Sequence, residues 1–266
     1  MPRVTVLIGV LNGADKIERA IDSLLSQTVD DLELLVVDDG STDGTADVVR
    51  RVMERDARVR LEQMGSNVGI ARSLGRGFEL ARAPFVAIQD ADDWSEPVRL
   101  ERQLEILESM PHVAVVGSRM REVDETGREL VARTSFAPAD VTATLMRFNP
   151  IPNTSAMVRR EAFLEAGGFD PKYRYANDYD LWLRLADKWR LWTIDEPLST
   201  REMSGTNFGA SREREQTAET IAMRLRTLRR RRTLRGASGL LVPVVAYLTP
   251  LPLKRARRRR LGQAPS

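Results

Sequence analysis

Leu32-Glu33-Leu34-Leu35-Val36-Val37-Asp38-Asp39-Gly40-Ser41-Thr42-Asp43-Gly44 is an apolar run that ends on a cluster of acids and glycines. Such a run, bounded by turn residues, reads as a strand over 32–37 covered on both faces. Val48, Val49 and Val52 then mark a helical stretch, with Ser41, Thr42 and Asp43 ahead of it and suited to capping. Upstream, residues 4–10 read as another buried strand, broken by Asn12-Gly13; Ile17, Ala20, Ile21, Leu24 and Leu25 follow at helical spacing. Downstream, residues 59–63 predict a third strand, residues 74–81 a helix, and residues 85–88 a fourth strand that ends at Gln89-Asp90-Ala91-Asp92-Asp93. This alternation predicts an α/β fold with parallel pairing and right-handed crossovers. Two of the four strands end in acids, and open α/β sheets bind ligands at the carboxyl ends of their strands.

Beyond residue 94 the pattern loosens. Ser95-Glu96-Pro97 predicts a helix start leading into Leu100, Leu104 and Leu107. A strand is expected over 113–117, polar loop over 118–150, and a strand over 154–158. A short helix over 161–166 should stop at Gly167-Gly168. Leu181, Trp182 and Leu185 mark a helix over 178–185. Residues 212–235 predict an Arg-rich helix. Residues 240–253 are apolar but interrupted by Pro243, Pro250 and Pro252, and Lys254 to Arg260 carry positive charge.

The 266 residues, 42% hydrophobic, suffice for one substantial core. The absence of cysteine excludes disulfides and thiolate metal sites. With His112 the only histidine, a histidine-rich metal centre or a Ser-His-Asp triad is hard to build; a metal would need oxygen ligands, which suits Mg²⁺ or Mn²⁺. No Gly-x-Gly-x-x-Gly follows the first strand, which argues against a dinucleotide oxidoreductase. Asp15 stands where a nucleotidyltransferase would carry a basic glycine-rich loop. The net charge of +3 hides an asymmetry: residues 212–266 hold 15 Lys/Arg against 3 Asp/Glu, and residues 1–211 hold 26 against 35. An acidic body with a basic tail predicts an anionic partner for the tail. With a single aromatic, Tyr247, the tail is poorly suited to nucleic acid, so a membrane surface over 229–260 is the expected partner; packing of the tail on the body is the alternative. The apolar run at 4–10 is too short for a signal peptide, and no run of eighteen apolar residues predicts a spanning helix.

Three acidic clusters offer chemistry. Asp90 and Asp92, two apart at a strand end, can face one cation that bridges to a diphosphate, or can form a solvated turn. Asp38 and Asp39 can accept from a base N–H or a ribose hydroxyl, or can cap. In Asn177-Asp178-Tyr179-Asp180 the two aspartates point in different directions on a helix, so one of them reaches a pocket or caps the helix.

The order and spacing of these pieces resemble family 2 glycosyltransferases. The resemblance runs through residues 4–10 with Asn12, residues 35–43, Asn67-Val68-Gly69-Ile70-Ala71, Asp90-Ala91-Asp92-Asp93, Arg99-Leu100-Glu101, Gly167-Gly168-Phe169-Asp170 and Asn177-Asp178-Tyr179-Asp180-Leu181-Trp182, and spans roughly residues 3–205. It implies the GT-A fold, a mostly parallel central sheet flanked by helices, here with a basic helical C-terminal tail. It implies a nucleotide-binding half over 1–94, an acceptor-binding half over 95–211, and the tail over 212–266. It also implies inverting transfer from a nucleotide-sugar donor, a UDP-sugar above others, to a hydroxyl of a glycan or lipid-linked glycan in cell-surface polysaccharide synthesis. Carried over by position, Val10, Asn12, Asp38, Asp39, Asp90 and Ala91 would contact the donor, Asp92 and Asp93 would hold Mg²⁺ or Mn²⁺, and Asp178 would be the catalytic base. There are two departures. Asn177 replaces the usual glutamate before that aspartate, and Met203 stands where the family often carries a histidine. They keep open the alternative of a catalytically silent sugar-nucleotide binder or scaffold of a polysaccharide assembly complex. The expected location is the cytoplasm, peripheral on the inner face of the cell membrane.

Overall fold

A computed structural model describes residues 1–124, 126–130, 139–203, 213–232 and 236–249. Four strands form the first half: β1 (Val4–Val10), β2 (Leu32–Asp38), β3 (Val59–Gln63) and β4 (Phe85–Asp90). They lie in the order β3-β2-β1-β4 with every pairing parallel. The crossovers are α1 (Ile17–Leu25), α2 (Thr45–Arg55) and α3 (Ile70–Leu80). Alternation along the strands sends side chains to two cores. Leu7, Leu35 and Ile88 meet Leu74 and Phe78 of α3 on one face, whereas Val6, Ile8, Leu34 and Val36 meet Ile21 and Val49 on the other. The chain steps outward from β1 to β3 and returns on the opposite side of β1 as β4. The switch between β1 and β4 opens a crevice at their carboxyl ends.

The second half extends the same sheet differently. Its elements are β5 (Asp93–Ser95), α4 (Arg99–Ser109), β6 (Val113–Val123), β7 (Ala139–Asp140), β8 (Met157–Arg159), α5 (Arg160–Glu165), α6 (Asn177–Leu185) and β9 (Arg190–Glu202). The order continues β4-β8-β6-β9-β5, with β7 on β9. β6 and β9 are parallel, while β4–β8, β6–β8, β5–β9 and β7–β9 are antiparallel.

Several local expectations shift here. Ser95 lies in β5, paired with Ser199, so the helix expected from Ser95-Glu96-Pro97 begins at Arg99. The strand expected over 154–158 is a 3₁₀ turn, Asn153–Ser155, followed by β8. β6 runs on to Val123 through residues expected to be loop, because β9 lies beside it. The 13-residue β9 had no clear sequence signal: its polar residues and Pro197 argue against a strand. Pro197 pairs with Arg119, between two register shifts, and the ladder tolerates it there.

Among the described residues of the C-terminal region, the first helix does not hang free. α7 (Glu213–Arg231) lies against the body with Met223, Arg224 and Leu228 buried. Arg226 pairs with Asp170 at 3.1 Å, and Arg230 and Arg231 both pair with Asp187 at 2.7 Å. Those two arginines, expected to face an anionic surface, are answered by an acid of the body itself. α8 (Leu241–Leu248) is different: Leu241, Val242, Val245 and Leu248 are exposed. No helix among the described residues is long and apolar enough to cross a membrane. Lys254 to Arg260 lie outside the described residues.

Candidate active site

The carboxyl ends of β2, β1 and β4 are level. Val10 pairs with Asp38 on one side, and Gly9 pairs with Asp90 on the other. With strands about 4.8 Å apart, the backbones of Asp38 and Asp90 flank β1 roughly 10 Å from each other.

The loops at this edge are held by the acids and amides of the motifs. Asp39 accepts the N–H groups of Val68 at 2.8 Å and Gly69 at 2.9 Å, one on each oxygen. Asp38 accepts from the Ser41 N–H at 2.9 Å. Both aspartates are buried, and each carboxylate oxygen keeps a further lone pair for a hydroxyl or ring N–H. Gly40 has φ +83°, and a Cβ there would lie 2.7 Å from the Ser66 carbonyl carbon, so glycine is required twice over. Asn12 ties the β1–α1 and β2–α2 loops: its N–H donates to Ser41 Oγ and its Oδ1 accepts from the Thr42 N–H, both at 2.9 Å. Asp43 accepts from the Ala14 and Thr45 N–H groups, each at 3.0 Å. Neighbouring hydrogen bonds, the Thr45 hydroxyl foremost, hold its carboxyl below the usual range.

Asp90, Asp92 and Asp93 present carboxylate oxygens within 4.8 Å of one another. Asp92 and Asp90 open toward the cleft, while Asp93 is 1% exposed. Neither Asp93 oxygen has a hydrogen-bond partner among the described residues; the Thr154 hydroxyl lies near but out of hydrogen-bonding geometry. Burial pushes the Asp93 carboxyl up to about 8, against the nearby Arg201 and reinforced by the charges of Asp90 and Asp92; burial raises Asp90 too. Orphaned buried oxygens beside two open carboxylates fit a divalent cation with oxygen ligands. The protein supplies one cation itself. Arg201 of β9 faces Asp93 across the β5–β9 ladder and stands 3.6 Å from both Asp93 and Asp90. Beneath the cluster Arg99, fully buried, donates to the Ile88 carbonyl and Ser95 Oγ at 2.8 Å each. Burial pulls its pKa down to about 10. Ala91 lies between the acids, half-buried at the crevice with Val10 close by in the core.

Asp178 comes from the other half of the fold. It sits in the first turn of α6, half-buried, and accepts from Asn149 Nδ2 at 2.9 Å. Burial pushes its carboxyl up to about 6; the Tyr179 N–H and Asn149 oppose this, and the Asp90 charge adds to it. That last influence places Asp178 within electrostatic reach of the acid cluster. Asp180 faces elsewhere, buried against Arg184 at 2.7 Å. Met203 closes β9 with its N–H on the Val123 carbonyl at 2.7 Å.

One side chain of this site, Asn149, carried no reading from sequence, for it lay in a stretch without periodicity. Arg201 is the arginine two residues before Met203 in the family pattern, but its place beside the acids depends on the pairing of β9 with β5.

The profile described as Glycosyl transferase family 2 matches residues 5–167, so Asp178 lies beyond it. Among curated proteins, EpsE of Bacillus subtilis (strain 168) is 33% identical over 202 residues, covering 74% of this chain and 72% of EpsE. The amylovoran biosynthesis glycosyltransferase AmsE of Erwinia amylovora is 28% identical over 183 residues, 68% of each chain. Among solved structures, S. aureus TarS in complex with UDP superposes with a TM-score of 0.69 at 19% identity, over 86% of this chain and 65% of that one. The mannosyltransferase PcManGT from Pyrobaculum calidifontis, in complex with GDP-Man and Mn²⁺, gives a TM-score of 0.67 at 21% identity, over 98% and 80%. The likeness to these structures is one of fold, the GT-A fold.

Proposed function

The chain belongs to glycosyl transferase family 2 and is a glycosyltransferase; on that premise we propose that it moves a sugar from a UDP-sugar to a hydroxyl of a glycan or lipid-linked glycan, with inversion at the anomeric carbon. The observation that carries this is the cluster of Asp90, Asp92 and Asp93 at the ends of β4 and β5, with Asp178 of α6 within electrostatic reach of Asp90. The TarS and PcManGT structures, which hold UDP and GDP-Man with Mn²⁺, support a nucleotide-sugar donor and a divalent metal. The name of AmsE supports a role in polysaccharide synthesis.

Asp178, ionised above about pH 6, takes the proton of the acceptor hydroxyl. That oxygen forms a bond to the anomeric carbon as the bond to the donor diphosphate breaks, and the bonding pair leaves on the diphosphate. Attack opposite the leaving group inverts the centre. Asn149 holds the Asp178 carboxylate toward the crevice. Asp38, Asp39, Asn12 and the Val10 carbonyl edge form the wall where base and ribose bind; Asp90 and Ala91 lie beside the ribose. Asp92, Asp93 and Asp90 would hold Mg²⁺ or Mn²⁺, which when bound neutralises charge on the diphosphate. Arg201, 3.6 Å from Asp90 and Asp93, balances part of the charge of these acids, whereas Met203 brings no imidazole to a metal.

The protein works at the cytoplasmic face of a membrane in this reading. Support comes from the exposed Leu241, Val242, Val245 and Leu248 of α8, followed in sequence by the six cations of residues 254–260. Flotation with anionic vesicles should be lost in Val242→Asp/Val245→Asp; unchanged flotation removes the membrane contact.

The transfer reading is tested by hydrolysis of UDP-glucose, UDP-N-acetylglucosamine, UDP-galactose and GDP-mannose, with and without Mn²⁺. One donor should be consumed, faster with the metal. Binding of a donor without hydrolysis under either condition would establish the silent binder instead.

A further inference from the structure

Asp178 sits at the start of a helix that brings no cap of its own. Ala176 occupies the N-cap position of α6 and offers no side-chain hydrogen bond. What holds the chain there comes from α7. Glu219 accepts the Arg174 N–H on one carboxylate oxygen at 2.8 Å, and the Tyr175 and Ala176 N–H groups on the other at 2.9 and 3.0 Å. Farther along α7, Arg224 is 3% exposed and donates to the Tyr179 hydroxyl at 2.9 Å and to the Arg147 carbonyl at 2.7 Å. The Tyr179 hydroxyl in turn donates to the Leu145 carbonyl. Segment 145–149 is the one that delivers Asn149 to Asp178. One helix thus grips both the element that carries Asp178 and the element that orients it.

We propose that Glu219 is a positioning residue for Asp178: its carboxylate tethers residues 174–176 and so fixes the first turn of α6 where the aspartate meets Asn149 and the crevice. The inference rests on the reading of Asp178 as the base. Three backbone N–H groups on one carboxylate are more than a half-exposed helical glutamate needs for its own solvation. They come from the three residues that immediately precede the helix bearing the reactive group. An anion at that end of α6 also complements the helix dipole.

The test is a double-mutant cycle on the full chain, measured as donor hydrolysis with Mn²⁺ over the same four nucleotide sugars. Glu219→Ala should lower kcat roughly tenfold to a hundredfold, the size of effect expected when a reactive group is displaced by about an ångström. The donor KM should stay unchanged, because the β1, β2 and β4 wall is untouched. Glu219→Gln keeps one acceptor oxygen and should recover most of the rate, with a loss of about threefold. In the Asp178→Asn background Glu219→Ala should cost nothing further. If the loss persists at full size in that background, or if folded Glu219→Ala keeps the wild-type kcat, Glu219 does not act through Asp178. If Glu219→Ala does not fold, Glu219→Gln carries the same comparison. Wild-type rates in Asp178→Asn alone would remove the base assignment itself, an outcome separate from either result at position 219.

Discussion

The two halves of the sheet reach the same crevice by different routes. In β1 to β4 the candidate residues sit at the end of a strand or within a few residues of it: Asp38 ends β2, Asp39 comes next, and Asp90 ends β4. Hydrogen bonds there link neighbouring loops of parallel units, as between Asn12 and Thr42 or Asp39 and Val68. In the second half the residues are brought together from afar. Arg201 crosses to Asp93, Asn149 to Asp178, and Glu219 to Ala176. On the proposed reading the first half serves as the wall for the nucleotide-sugar donor, and the second as the jaw for the acceptor. The contrast is that the proposed binding residues are held by hydrogen bonds between neighbouring strand-end loops of one repeating parallel unit, whereas the proposed base is held by segments outside any such repeat. A substitution at Asp178 or at the groups that hold it should therefore cost rate, and one in the wall should cost stability and donor affinity.

The sharpest way to break this contrast is Asp178→Asn, expected to lower turnover by about 10²–10⁴-fold with donor binding retained. Steady-state kinetics beside calorimetric donor titration check it, and lost binding would make Asp178 part of the wall. The same group sets a pH dependence. The Asp178 carboxyl is pushed up to about 6 by burial, with the Asp90 charge adding. The base works ionised, so kcat should fall about tenfold per pH unit below that value and level off above it.

Arg201→Met comes next. It leaves buried Asp93, pushed up to about 8, facing Asp90 and Asp92 without its cation, at a cost of about 3 kcal/mol in urea unfolding above pH 8, where the wild-type carboxylate is ionised. Mn²⁺ should then raise Tm more in the variant than in the wild type, since both cations answer the same acids; an equal rise would separate the two. In the wall, Gly40→Ala must adopt φ +83° and meet the 66–67 backbone, a loss of about 2 kcal/mol with weaker donor binding. The smallest effect is expected of Asp39→Asn. Its amide presents an N–H to one of the Val68 and Gly69 N–H groups, costing about 1 kcal/mol. Chemical denaturation measures both, and kcat at saturating donor should stay near wild type in each.

Legibility in the sequence follows the same division. The apolar runs at 4–10 and 32–37 and the acids that end them were readable because a parallel strand buried on both faces is continuously apolar and its ligand turn follows at once. The opposite facing of Asp178 and Asp180 followed from helical spacing, and the structure has them on Asn149 and Arg184. The reach of β6 past residue 117 and all of β9 were hidden, because their side chains there are partly exposed and free to be polar, while the strand is set by backbone pairing to a partner distant in sequence. The basic tail was read from charge alone. Charge does not tell that Arg230 and Arg231 are matched by Asp187, nor that the apolar side chains of α8 remain open.

By itself the sequence determined the α/β class, the places where the first four strands end, the oxygen-only chemistry open to a metal, and the motif order that marks the family. Those properties are written in periodicities and turns a few residues long. Tertiary structure decided that Arg201 stands among the acids, that Asn149 orients Asp178, and that a helix from the basic region secures the loop ahead of it. Such contacts join segments separated by 29 to over 100 residues, and only closure of the whole sheet brings their hydrogen-bonding groups within reach.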